Sequence, residues 1–275
     1  LQNAVSIVLI ALAIMMELQM KHLADRPVGA DIDDLYYLWL DDIKSRGPLE
    51  EEIKKMPFVT RIGLSEGYPG GLVETVTEVE PGKDQLIGLL ICDTEAFDMY
   101  NFKRKTDNGV DVGNSAWVDQ YTYESMASYG ADLNTPQGMM AIPLASPDTR
   151  FGGLLDDFAI FDAITDSRNV WCNVRVSDTG NFSTWMSDGG GLLIQTIGDH
   201  RDNGRAIMEA YRKYSEERNG IYMEPMTAGY IGDLLTGKLT EARSSMRIME
   251  LFMFLSIILS FMGLVAMSTY FSSES

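Results

Sequence analysis

Near the C-terminal end of this 275-residue chain, Leu251–Phe271 reads LFMFLSIILSFMGLVAMSTYF, twenty-one residues without a charge. A helix of about 20 mostly apolar residues crosses a hydrocarbon core about 30 Å thick. Buried helices of soluble domains rarely run so far without a charged position. The stretch is therefore expected to be a membrane span. A shorter uncharged run, Ala4–Met16, lies at the other end, followed by Glu17, Gln19 and Lys21. It lacks both the basic residues that precede a secretory signal core and the small-residue cleavage site that follows one. Leu1–Leu23 is read as the outer part of a truncated span leading into a stalk.

Two such spans would bracket everything between them. Leu1–Leu23 is electrically neutral and Ile248–Ser275 carries −2, which leaves −16 of the chain's −18 on residues 24–247. The chain's pI is near 4.4, and an insert this acidic is unsuited to nucleic acid or to lying flat on anionic lipid. Long loops translocate whatever their charge, so the charge does not orient the insert. The only cysteines, Cys92 and Cys172, sit in the strand-like runs LIGLLIC and NVWCNV. A disulfide between them is permitted outside the cytoplasm; two buried free thiols are the preferred reading.

The insert alternates strand and helix patterns. LYYLWL (Leu35–Leu40) and FVTRIGLS are strand-like, and GPLEEEIKKM between them is a helix. Pro48 suits a first helical position, Glu50 to Glu52 suit the positive end of the helix dipole, and Pro57 stops the helix. The same order returns late in the insert. GGGLLIQTIG is a strand, Asp202 or Asn203 is expected to cap a helix that ends at Asn219-Gly220, and IYMEPM is the expected returning strand. Between these units, Leu72–Ser187 is rich in short strands, Gly, Pro and Asp.

Catalytic and cofactor motifs are weak. GLSEG (Gly63–Gly67) matches the nucleophile elbow G-x-S-x-G, but YPGG follows where the elbow requires a helix, and His22 and His200 are the only possible bases. Ser65 is thus expected at a strand end. SDGGG (Ser187–Gly191) lacks the Gly-Lys-Ser/Thr of a phosphate loop. Asp31–Asp34 and Glu50–Glu52 lack calcium-loop spacing. No catalytic, cofactor-binding or metal-binding residue is assigned, and the chain is read as a non-enzyme.

Ahead of the last span, Leu235, Leu239, Ala242, Met246, Met249 and Met253 recur at alternating spacings of 4 and 3, and Ser256, Ser260, Gly263 and Met267 prolong the series. That is a helix-packing seam, large outside the membrane and small inside it, where small residues allow close approach. Leu239, Ala242, Met246, Met249, Ser256, Ser260 and Gly263 are the candidate functional positions. One continuous helix is expected from about Lys238 to Phe271.

Four stretches taken in order resemble one family. LQNAVSIVLIALAIMMELQMKHLADRPVGAD is similar to its first span and stalk, and LEEEIKKMPFVTRIGLSEGYPG to its helix, strand and Pro-Gly turn. FGGLLDDF is similar to a late strand of its core domain, and RIMELFMFLSIILSFMGLVAMSTYF to its second span. The chain resembles the FtsX-like ABC transporter permeases with a MacB-like periplasmic core domain. The resemblance implies an α+β extracytoplasmic domain of two subdomains flanked by two transmembrane helices, with its central domain in the periplasm or outside. A porter-like part would comprise Ala24–Gly71 plus Asp188–Tyr230, and an inserted β-rich part would comprise Leu72–Ser187. A stalk helix over 231–250 and a span over 251–271 would follow. It further implies a cytoplasmic ATPase subunit as partner, a homodimer or paired permease, and work on a protein, peptide, lipoprotein or small molecule outside the membrane. No nucleic acid and no cofactor are implied. The alternative architecture with one domain between two spans is a membrane receptor's sensor domain.

Overall fold

The computed structural model describes residues 29–142, 145, 148–156, 170–178 and 189–237. It also describes the helical positions 11, 14, 15, 18, 251, 254, 255, 257, 258, 261–263 and 265. The chain divides into two compact units, Pro27–Leu235 and the combined ends Leu1–Arg26 and Thr236–Ser275. Among the described residues no helix is long and apolar enough to cross a membrane. The two expected spans and most of the stalk lie outside those residues.

The larger unit is built on one nine-stranded mixed sheet. The strands are β1 (Leu35–Leu40), β2 (Val59–Glu66), β3 (Val73–Glu80), β4 (Lys83–Cys92), β5 (Asn114–Asp119), β6 (Arg150–Leu155), β7 (Val170–Ser177), β8 (Gly190–Thr196) and β9 (Ala228–Tyr230). Their spatial order is β6-β5-β7-β4-β2-β8-β1-β9, with β3 paired to β4. β8 lies antiparallel between β1 and β2, so the early and late strands of the insert are direct neighbours. Strands from residues 24–71 and 188–230 form one flank and those from 72–187 form the other. The flanks meet at a short ladder, Ser65 opposite Cys92 and Glu66 opposite Ile91.

Both faces are covered, which explains why β1 is a continuous apolar run rather than an alternating one. Leu35 and Tyr37 enter the core on the first face, beneath α2 (Thr94–Tyr100), with Phe97 and Tyr100. Tyr36, Leu38 and Leu40 enter the core on the second face, with Leu49 and Ile53 of α1 (Gly47–Lys54) and Ile207 and Tyr211 of α5 (His200–Asn219). At the far end of that face, α3 (Gln120–Ser128) and the four-residue α4 (Pro136–Met139) contribute Met126 and Met139 over Trp171 and Phe151. Cys92 and Cys172 are both buried free thiols on the first face.

Two local expectations are corrected. The cap of α5 is Asp199, whose carboxylate accepts from the Asp202 amide; Asp202 already lies in the first turn, and Asn203 instead donates its side chain to the Ile197 carbonyl. IYMEPM is loop rather than strand, and the returning strand is Ala228–Tyr230, because the Met223 amide bonds to Ser215 of α5 instead of a ladder partner.

Asp93 ties the first helix of that core to the sheet. One carboxylate oxygen caps α2 through Ala96 N at 2.7 Å and the other accepts from Leu64 N of β2 at 3.0 Å. Asp93→Ala should therefore destabilise the full chain by roughly 2–3 kcal/mol, and Asp93→Asn by less, in chemical denaturation followed by tryptophan fluorescence.

Candidate functional site

The larger unit's incoming and outgoing segments are fastened at the same place. Ala30 and Ile32 on the way in, and Ile231, Leu234 and Leu235 on the way out, all pack into the first-face core with Tyr68 and Leu72. Asp31 N donates to Tyr100 O, and Lys103 N donates to Gly29 O. Residues 231–237 are helical and follow β9 without a break.

Between these segments lies the turn Gly67–Leu72. Tyr68 and Gly71 exchange two backbone hydrogen bonds, at 3.2 and 2.8 Å. Gly67 and Gly70 have φ of +86° and +87°, a region glycine occupies without steric cost. Space is tight as well, and an added methyl would make its neighbours shift. A Cβ on Gly70 would lie 2.1 Å from Leu235 Cδ2, and one on Gly71 would lie 2.4 Å from the Tyr68 ring. The outgoing helix thus seats a leucine directly on the turn's backbone.

A buried hydroxyl network holds this turn to the sheet. Ser65 Oγ donates to Gly67 O at 2.8 Å and accepts from Tyr100 OH at 3.1 Å. Tyr37 OH donates to Ser65 O and accepts from Gly67 N, at 3.3 and 3.2 Å. Burial pushes the Tyr37 and Tyr100 phenols up, so both remain neutral hydroxyls. Among the described residues Ser65 has no histidine partner: His200 stacks on Tyr230 at 3.9 Å and bonds Asp34 at 3.0 Å. β2 continues through Ser65 into the Gly67 turn, as the residues following it require, and the serine hydroxyl is engaged in the network that holds this turn.

Glu66 lies beside this network on the opposite face. It is 1% exposed, and among the described residues neither carboxylate oxygen has a hydrogen-bond partner. It faces Ile91, whose neighbour across β4 and β7 is Arg175. The arginine does not turn toward it: Arg175 donates to Ser115 O, to Val176 O and to Asn114 Oδ1. Burial raises the Glu66 carboxyl to about 7.

Of the seam residues, Leu239, Ala242, Met246, Met249, Ser256 and Ser260 lie outside the described residues; Gly263 is described, helical and partly buried. Among the described residues no group of His, Cys, Asp and Glu side chains could hold a metal ion. Tyr37, Glu66, Tyr100 and the Gly70–Leu235 seat were not singled out from the sequence. A signal for Glu66 existed: Ile62, Leu64 and Glu66 alternate onto one face of β2, which puts a carboxylate at a core position.

No family model matches this sequence, and no curated protein does. Three solved structures are similar in fold. The first is the extracellular domain of the ABC-type transporter YknZ from Gram-positive bacteria, at 8% identity and TM-score 0.42, covering 70% of this chain and 99% of that one. The second is the periplasmic region of MacB from Actinobacillus actinomycetemcomitans, at 9% identity and TM-score 0.39, covering 73% and 90%. The third is a domain of a permease protein from Porphyromonas gingivalis, at 12% identity and TM-score 0.37, covering 68% and 86%. The first two are extracellular or periplasmic regions of their proteins, and the third is a domain of a permease. No residue of this chain takes a role from them.

The Glu66 carboxyl makes stability depend on pH. Its folded pKa is raised from 4.5 to about 7, so the folded state holds the proton more tightly than the unfolded chain. The stability it contributes is complete below pH 4.5 and is lost as pH rises through 7. Glu66→Gln should match the parent at pH 4 and exceed it by roughly 3 kcal/mol at pH 8, in parallel denaturation curves.

Proposed function

We propose that this chain is the extracytoplasmic domain of an ABC transporter permease of the FtsX-like, MacB-related kind, together with its two flanking membrane helices. It would carry movement generated by a cytoplasmic ATPase to the outside of the membrane. The observation that carries this reading is the shared anchorage of the two chain ends. The segments nearest the proposed spans enter one apolar cluster, and the outgoing one rests on a backbone turn held by Tyr37, Ser65 and Tyr100. A displacement of the outgoing helix would therefore reach the sheet without passing through a flexible link.

The described positions of the two ends support the membrane part of the reading. They are helical, and their side chains are apolar and exposed, with Leu251 at 63% and Phe261 at 68%. Such a surface is costly in water and suited to lipid. The seam of Leu239, Ala242, Met246, Met249, Ser256, Ser260 and Gly263 is proposed to pack this helix against the first span, within a permease that works as a homodimer or a pair.

The test inserts two glycines between Ser244 and Ser245 of the full-length protein, assembled with its ATPase in lipid. Spin labels on the outer domain report its movement. The parent should show an ATP-dependent change in label separation. The insertion should reduce that change about tenfold while ATP hydrolysis continues. An unchanged response in the insertion variant, or failure of any ATPase subunit to co-purify, overturns the reading.

A further inference from the structure

The end of the larger unit remote from the chain's attachment carries a second feature. β1 runs from the attachment cluster at Leu35 to Leu40, about 17 Å along the strand. There α5 ends at Gly220, in the left-handed conformation at φ 73°, and the loop Ile221–Met226 follows. This loop exposes a concentrated apolar surface. Ile221 is 66% and Met226 69% exposed, and Tyr222 and Met223 are exposed beside them.

The surface is held in shape. Ser215, buried on α5, accepts from Met223 N at 2.9 Å and donates to Met223 O at 3.5 Å. Tyr222 meets the Tyr211 ring edge-on at 6.4 Å, and the Arg212 guanidinium lies 5.6 Å over its ring. A cleft of about 210 Å³ opens next to the loop, between Leu40, Tyr211, Tyr214 and Met223. Surface of this kind needs no ordering when a partner arrives, which lowers the cost of association.

The charges around it are one-sided. The nearby cations are engaged: Arg218 pairs with Asp42 at 2.6 Å, Arg212 with Glu216 at 3.0 Å, and Lys213 with Glu52 at 3.6 Å. Asp41 lines the cleft and Glu224 lies in the loop; both are exposed, and no ion pair joins them to another described residue. An apolar anchor surface with unpaired carboxylates at its edge is complementary to an apolar segment flanked by Lys or Arg.

We propose that the loop Ile221–Met226 and its cleft dock a basic, amphipathic segment of a partner protein. The inference deepens the functional reading and rests on it only for the side of the membrane on which the partner is met. Aromatic and methionine side chains would supply the contact area, and Asp41 and Glu224 would set orientation and approach rate.

The test places the photo-crosslinker p-benzoylphenylalanine at position 221 or 226 of the full chain in its own cells, with position 76, another exposed apolar site on β3, as control. Mass spectrometry reads the sequence of the attached segment. The expected adduct carries apolar residues with several Lys or Arg. Its yield should fall about tenfold in Asp41→Lys/Glu224→Lys, while position 76 gives none of it. An adduct to a second copy of this chain, to lipid or to an acidic segment overturns the proposal. So does a yield no higher than at position 76, or one indifferent to charge reversal. A basic partner segment found in the cytoplasm would leave the docking site standing and remove the transport reading instead.

Discussion

Leu235 rests on a glycine backbone, and the arrangement of the larger unit depends on that contact. A Cβ at Gly70 would stand 2.1 Å from the leucine's methyl group, where no ordinary contact is possible. The turn must also pass through φ +87° at that position. Sterics and backbone conformation make the same demand, so the Pro69-Gly70-Gly71 sequence is a seat for the outgoing helix as well as a change of direction. Because Ala30 and Ile32 pack in the same cluster, the incoming chain is fixed by the same apolar contacts.

The seat is stiffened by polar groups that water does not reach. Ser65, Tyr37 and Tyr100 satisfy one another and the Gly67 peptide, and a buried hydroxyl deprived of its partner costs about 1–3 kcal/mol. Glu66, the next residue along β2, does the opposite. Its carboxyl is buried without a described partner, and its burial favours the neutral form. One strand end thus combines a satisfied network on one face with an unsatisfied acid on the other. The junction between the two flanks of the sheet, Ser65 to Cys92 and Glu66 to Ile91, falls at these residues.

Much of this fold was legible because local signals agreed with burial. LYYLWL, FVTRIGLS, LIGLLIC and NVWCNV are strands, and the helices at Gly47–Lys54 and His200–Asn219 follow apolar periodicity and their turn residues. The errors came where a side chain redirected the backbone. Ser215 captures Met223, which denies IYMEPM a ladder and displaces the strand to Ala228–Tyr230. The N-terminal cap moved because two acids, Asp199 and Asp202, and the amide Asn203 compete, and Asp199 has the extended conformation a cap requires. The candidate site was less legible. Periodicity marks which residues face inward; it does not report that a leucine more than one hundred and sixty residues away will occupy the space above a particular glycine. The stalk seam, by contrast, was read from spacing alone, and its positions other than Leu235 and Gly263 fall outside the described residues.

The central claim is that Leu235 and Gly70 form one mechanical contact. A double-mutant cycle with Gly70→Ala and Leu235→Ala in the full chain, read by denaturation, tests it directly. Each single substitution should destabilise, and Gly70→Ala should cost at least about 1 kcal/mol less when Leu235 is already alanine, because the methyl then has room. The φ penalty at Gly70 is present in both backgrounds and cancels from the cycle. Additivity within about 0.5 kcal/mol would contradict the contact and the transmission route built on it.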